Sequence, residues 1–140
     1  MVATLPSRLT LTLEAARVAA AAAEREALGA GLAMCIAILD DGGNLVLLER
    51  IDGTQFGSVD VSVGKARTAI AFRRPTKVFE DRVAGGWNPM LGLPGVLPIE
   101  GGVPLLVEGQ IVGAIGVSGG TPAQDGEVAG AGARALASER

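Results

Sequence analysis

Histidine and tyrosine are absent from this 140-residue chain, cysteine and tryptophan occur once each, and phenylalanine three times. Without histidine the chain lacks the commonest metal ligand and the commonest acid–base side chain. With a single thiol as well, it can assemble neither a disulfide framework nor a four-ligand structural zinc site, so no metal site is expected. Aromatic residues make up 3% and the formal net charge is −3. There are too few rings to stack bases and no basic field to attract phosphates, which argues against nucleic acid as a partner. Long apolar runs are missing too: the Ala-rich start MVATLPSRLTLTLEAARVAAAAA is broken by Glu14 and Arg17 before it could form a signal segment or a membrane span. The expectation is a soluble, cytoplasmic protein with no membrane partner.

Apolar residues nevertheless amount to 49%, so the core must be built from Ala, Val, Leu and Ile, and the length suits one domain over residues 1–140. The lone Cys35, within AMCIAIL, reads as a small buried apolar residue. Leu13, Ala16, Ala20, Ala23 and Ala27 recur at helical spacing, with Thr12 as N-cap and Gly29 as a stop, and predict a first helix over 13–28. The apolar runs 33–39 and 44–50 flank DDGG and predict a hairpin. Ser58 is placed to cap a second helix with Val59, Val63, Ala66 and Ile70 on one face, ending at Arg73-Arg74-Pro75. From Thr76 to Gly102 the chain is punctuated by GGWNP, LPG, LP and EGG, which predicts a long loop with one short strand at 96–99. A second hairpin over 103–107 and 110–117 turns at Glu108-Gly109.

The stretch GAIGVSGGTPAQD, Gly113 to Asp125, could cradle a phosphate or merely turn a strand into a helix. Its spacing is not G-x-G-x-x-G and no lysine follows, so neither nucleotide fingerprint is met. Thr121-Pro122-Ala123-Gln124 matches a capping box with proline at the first helical position. A helix start of this kind is itself able to hold an anion. Asp125, in the first turn, is accounted for by the helix dipole.

Three motifs in order, ILDDGGNLVLLERIDG, SVDVSVGKARTAIAFRRPT and LPIEGGVPLLVEGQIVGAIGVSGGTPAQD, resemble the GlcG/HbpS-type haem-binding family, which also includes the C-terminal domain of PduO. The resemblance runs from about Leu11 to Leu136. It implies an α/β (α+β) domain with an antiparallel five-stranded sheet, packed helices and a profilin-like outline, and a tendency to homo-oligomerise. It also implies binding or degradation of haem, redox sensing outside the cell, or a place in small-molecule catabolism such as glycolate or propanediol use. Haem iron ordinarily takes an axial His, Cys, Met or Tyr. Here only Cys35, Met1, Met34 and Met90 remain, so haem is implied by the resemblance alone and the cofactor stays open.

The candidate chemistry therefore rests on Lys, Arg, Glu, Ser, Thr and backbone amides. Lys65 and Thr68, three apart on the second helix, share a face, and Lys65, Arg67 and Thr68 fall in K-A-R-T, a motif of the resembled family. Arg73, with Arg74, ends that helix beside the glycine- and proline-rich loop and could clamp a carboxylate. Glu100 stands at the junction of loop and strand, where partial burial would suit it to acid–base work. Gly101, Gly102, Ser118, Gly119 and Gly120 would bring main chain close to a ligand, and Trp87 would cover the pocket or a subunit interface. Two functions follow: a homo-oligomeric binder of a small molecule such as haem or another tetrapyrrole, or a cofactor-independent enzyme acting on a small carboxylate through Lys65, Arg67, Arg73 and Glu100, with Lys65 and Glu100 as its catalytic groups.

Overall fold

A computed structural model describes residues 2–139. Helix α1 (Leu13–Gly29) begins as the sequence predicts, with the Thr12 hydroxyl accepting from the Ala15 amide at 3.1 Å, and it buries Ala16, Ala19, Ala20, Ala23 and Ala27. Strands β1 (Cys35–Asp40) and β2 (Leu45–Arg50) form the first hairpin. Helix α2 (Gly57–Phe72) follows, then α3 (Lys77–Ala84), a 3-10 turn at Asn88–Gly92, the hairpin β3 (Gly102–Val107) and β4 (Gln110–Ser118), and α4 (Pro122–Ala137). In the second hairpin Glu108 and Gly109 take φ of 52° and 75°, the twist a two-residue turn needs. The capping box of α4 is complete, with Thr121 and Gln124 exchanging side-chain and amide bonds at 3.2 and 2.9 Å.

The sheet is antiparallel in the order β2-β1-β4-β3, with four strands rather than the five expected. The segment 96–99 is not a strand. Pro98 within it and Pro94 just before it remove donors, and the Leu97 amide donates to the Thr68 hydroxyl at 2.9 Å instead of to a neighbouring strand. The long connection also contains α3, two turns that the run of breakers obscures. Its Phe79 is buried and packs edge-on to Phe72 with ring centroids 5.5 Å apart.

Period-two alternation divides the sheet into two faces. Ile36, Ile38, Leu105, Ile115 and Val117 point into a core closed by α1 and α4. Ala37, Leu39 and Ala114 point the other way, against Ala66, Ala69 and Ile70 of α2. On that face Ala37 pairs with Gly116, and Gly116 with Gly102, so along this row α2 meets backbone and one methyl group rather than large side chains. Among the described residues no helix is long and apolar enough to cross a membrane.

Candidate functional site

The residues singled out in the sequence separate towards two ends of the sheet. Helix α2 starts near the end of β4, where Ser118 donates to Ser58 at 3.1 Å. Ser58 is thus a buried partner rather than the expected N-cap; the cap residue is Phe56, which makes no side-chain bond. The face of α2 against the sheet buries Ser58, Ser62, Lys65 and Thr68 together with Ala66, Ala69 and Ile70, while Val59 and Val63 are only half-buried. The helix is therefore rotated from the orientation its valines predict. It can sit this way because a Cβ at Gly116 would run into the Ser62 carbonyl and lie 2.6 Å from the Ala66 amide. A Cβ at Gly102 would meet the Lys65 carbonyl.

Lys65 is 1% exposed. Its stem passes Gly101 (φ 133°), where a Cβ would fall 2.9 Å from Lys65 Cδ. Its Nζ donates to the Val117 carbonyl at 3.0 Å and to Asp125 Oδ2 at 2.8 Å. The other carboxylate oxygen of Asp125 accepts from the Gly120 amide at 2.9 Å. Burial pushes the Asp125 carboxyl above its ordinary range, more strongly than the Lys65 bond and the Gly120 amide pull it down. Asp125, read from sequence as a dipole residue, is thus half of a buried ion pair joining α2 to α4. Gly119, at φ 146° and with the Ala33 carbonyl 2.5 Å from where its Cβ would lie, makes the tight turn into α4.

Around this pair the polar groups are closed on one another. Thr68 accepts from Leu97 and donates to the Gly64 carbonyl at 2.9 Å, and Thr76 accepts from the Gly102 amide at 2.9 Å. Among the described residues no buried side-chain nitrogen or oxygen lacks a partner. Glu100 lies beside this network, its carboxylate over Gly126 and its amide donating to Glu80 Oε1 at 3.2 Å. Lys77 Nζ stands 3.9 Å from it.

At the opposite end of α2 an open cleft of about 780 Å³ lies between the helix and the two hairpin turns. Arg8, Asp41, Arg67 and Arg73 line it over an apolar base that includes Ile70 and Ile111. Arg67 is two residues from Lys65, about 200° around the helix, and is exposed where Lys65 is buried. Arg73 is the C-cap residue in the left-handed region, φ 57°. Its neighbour Arg74 turns elsewhere, donating to the Phe72 carbonyl at 3.0 Å and lying over the Phe79 ring at 6.0 Å. Arg8 pairs with Asp41 at 3.1 Å, whereas Arg67 and Arg73 have no ion-pair partner among the described residues.

Of the sequence-selected residues the structure thus places Arg67 and Arg73 in the cleft, and Lys65, Thr68, Gly101, Gly102, Ser118, Gly119 and Gly120 in or beside the closed network, with Glu100 next to it. Trp87 is half-exposed on the connection after α3 and does not line the cleft. Arg8 and Asp41 went unselected; a lone arginine before a helix and an aspartate in a DDGG turn carry no signal until the fold brings them together.

A family model described as haem degrading protein HbpS-like matches residues 11–134. Protein GlcG of Escherichia coli K12 is 41% identical over 114 residues, covering 81% of this chain and 85% of GlcG. The crystal structure of a double mutant of Streptomyces reticuli HbpS has a TM-score of 0.85 at 35% identity, covering 97% of this chain and 96% of that one. A crystal structure of a PduOC–haem complex has a TM-score of 0.80 at 26% identity, covering 91% and 95% respectively.

Proposed function

The chain belongs to the HbpS-like family, and on that premise we propose that it is a small-molecule-binding protein whose cleft beside the end of α2 takes an anionic ligand, with Arg67 and Arg73 holding the charged group. The observation that carries this reading is a pair of guanidinium groups lining one cleft without a carboxylate partner among the described residues, in a chain whose net charge is −3. Guanidinium forks match carboxylates in bidentate geometry. Lys65 and Glu100 do not line the cleft, and Lys65 directs its bonds to Val117 and Asp125. The reading therefore assigns binding to this cleft and no proton transfer.

Haem enters through the family description and the PduOC complex. The donor set does not fit an iron-ligating site: histidine and tyrosine are absent, Met34, Cys35 and Met90 are at most 1% exposed, and Met1 lies outside the described residues. For a tetrapyrrole, this cleft offers its arginines to the carboxylates and none of these side chains to the iron.

Calorimetric titration with succinate tests the reading. The wild type is expected to bind saturably, and Arg67→Ala with Arg73→Ala to weaken binding by about ten-fold or more, the range for hydrogen bonds to charged groups. No saturable binding by the wild type would refute it. Titrated haemin is expected to give no sharpened Soret band. The same protein is proposed to be a homo-oligomer, since Phe56, Trp87 and Leu91 leave large apolar surface outside the core; light scattering giving a monomer mass at micromolar concentration would overturn that.

A further inference from the structure

The cleft holds a third arginine that is occupied in a replaceable way. Arg8 lies on the segment before α1, and the next residue ties that segment down, the Leu9 amide donating to Gln110 Oε1 at 3.2 Å. The Arg8 guanidinium meets Asp41 Oδ2 at 3.1 Å, with the arginine side chain 75% exposed and the aspartate 23%. A pair whose arginine end is solvated holds less tightly than a buried one, because water competes for that end and two side chains must be kept in one geometry. A carboxylate arriving in the cleft could therefore take Arg8 from Asp41 with little loss.

Of the other acids nearby, Asp40 has its carboxyl held below the ordinary range by the Asn44 amide first and also by the charge of Arg8. Asp40 is turned into its own hairpin loop, accepting from the Gly42 and Asn44 amides at 3.0 and 2.9 Å. Glu108, next to the lining residue Gly109, has a partner of its own. The cleft thus presents cations from two separate elements, Arg67 and Arg73 from the end of α2 and Arg8 from the N-terminal segment, with Ile70, Leu106 and Ile111 among the lining residues. Cations from two separate elements, in a cleft that apolar side chains also line, match a molecule with two anionic groups on a short hydrocarbon stem.

We propose that the ligand is a compact dicarboxylate, one carboxylate held by Arg67 and Arg73 and the other by Arg8 once it leaves Asp41, so that Arg8 selects two-charged over one-charged acids. The proposal rests on the anion-binding reading of the cleft given above. Its test is calorimetry on the full chain with succinate, glutarate and butyrate at matched ionic strength. The wild type is expected to bind a diacid about ten-fold more tightly than butyrate, the scale of one charge-assisted contact. Arg8→Ala should erase the preference for the diacids over butyrate, and Asp41→Asn should tighten the diacids. Equal affinity for butyrate and the diacids, unaltered by Arg8→Ala but abolished by Arg67→Ala with Arg73→Ala, would sink the dicarboxylate assignment and leave the anion cleft standing. No binding of any of the three acids would overturn both. Unchanged urea midpoints for the variants would show that the fold is intact.

Discussion

The two faces of the sheet bury their surface by opposite means. Beneath α1 and α4 the strands contribute isoleucine, leucine and valine, and the helices answer with alanine. Beneath α2 the strands contribute Ala37, Ala114, two glycines and a single large side chain, Leu39, and the helix answers with alanines, Ile70 and buried polar side chains. The first face is held chiefly by transfer of apolar area, about 1.5–3 kcal/mol for each large side chain fully buried. The second is held by backbone in contact with backbone and by an ion pair at its end. A small-residue face lets a helix come close, but it supplies little hydrophobic gain, so the polar groups it encloses must all be partnered.

That contrast can be broken most severely at the ion pair. Asp125→Ala leaves the Lys65 ammonium buried with one acceptor, and should cost about 3–5 kcal/mol by urea unfolding. Replacing both partners, Lys65→Met with Asp125→Leu, should return most of that loss; a double variant as unstable as the single one would show that the pair itself, not the orphaned charge, carries the stability. Gly116→Ala comes next. Its methyl group meets main chain of α2 rather than a flexible side-chain end, and should cost about 1–3 kcal/mol through overpacking. On the opposite face Ile36→Val removes one methyl group from a fully buried residue and should cost only about 0.5–1.5 kcal/mol. If adding one carbon under α2 proves cheaper than removing one under α1, the two faces are not as different as described.

The smallest effect is a slope with pH. In the folded chain the Asp125 carboxyl holds its proton to higher pH than the ordinary 3.8. Between the unfolded and folded values the native state binds more protons, so stability contributed by this group is present below that window and falls as pH rises through it. Urea midpoints measured from pH 4 upward should show that fall in the wild type and lose it in Asp125→Asn, the two curves running parallel if Asp125 does not titrate there.

Much of the frame was legible in the residues. Thr12 and the Thr121 capping box mark helix starts through bonds confined to three or four positions, and DDGG and Glu108-Gly109 mark hairpins through turn chemistry alone. What stayed hidden depends on partners far along the chain. Lys65 is buried because Asp125 waits 60 positions later, and Ser58 because of Ser118, equally distant. A pattern rule that expects valine inside and lysine outside must then rotate α2 wrongly. The strand expected at 96–99 fails for a local reason, two prolines, but also for a distant one, the Thr68 hydroxyl. The cleft was half legible: Arg67 and Arg73 were singled out by their place on α2, while Arg8 and Asp41 joined them only through tertiary folding.

Arg73 sits at a left-handed position that glycine would occupy at lower conformational cost, a difference of roughly 1–2 kcal/mol for an L residue. A search for thermostable variants would therefore be drawn to Arg73→Gly, and a search for tighter ligand capture would be driven away from it. If both proposals above hold, one codon sets durability against affinity in this protein, and a library screened for heat resistance alone should discard the arginine and the function together.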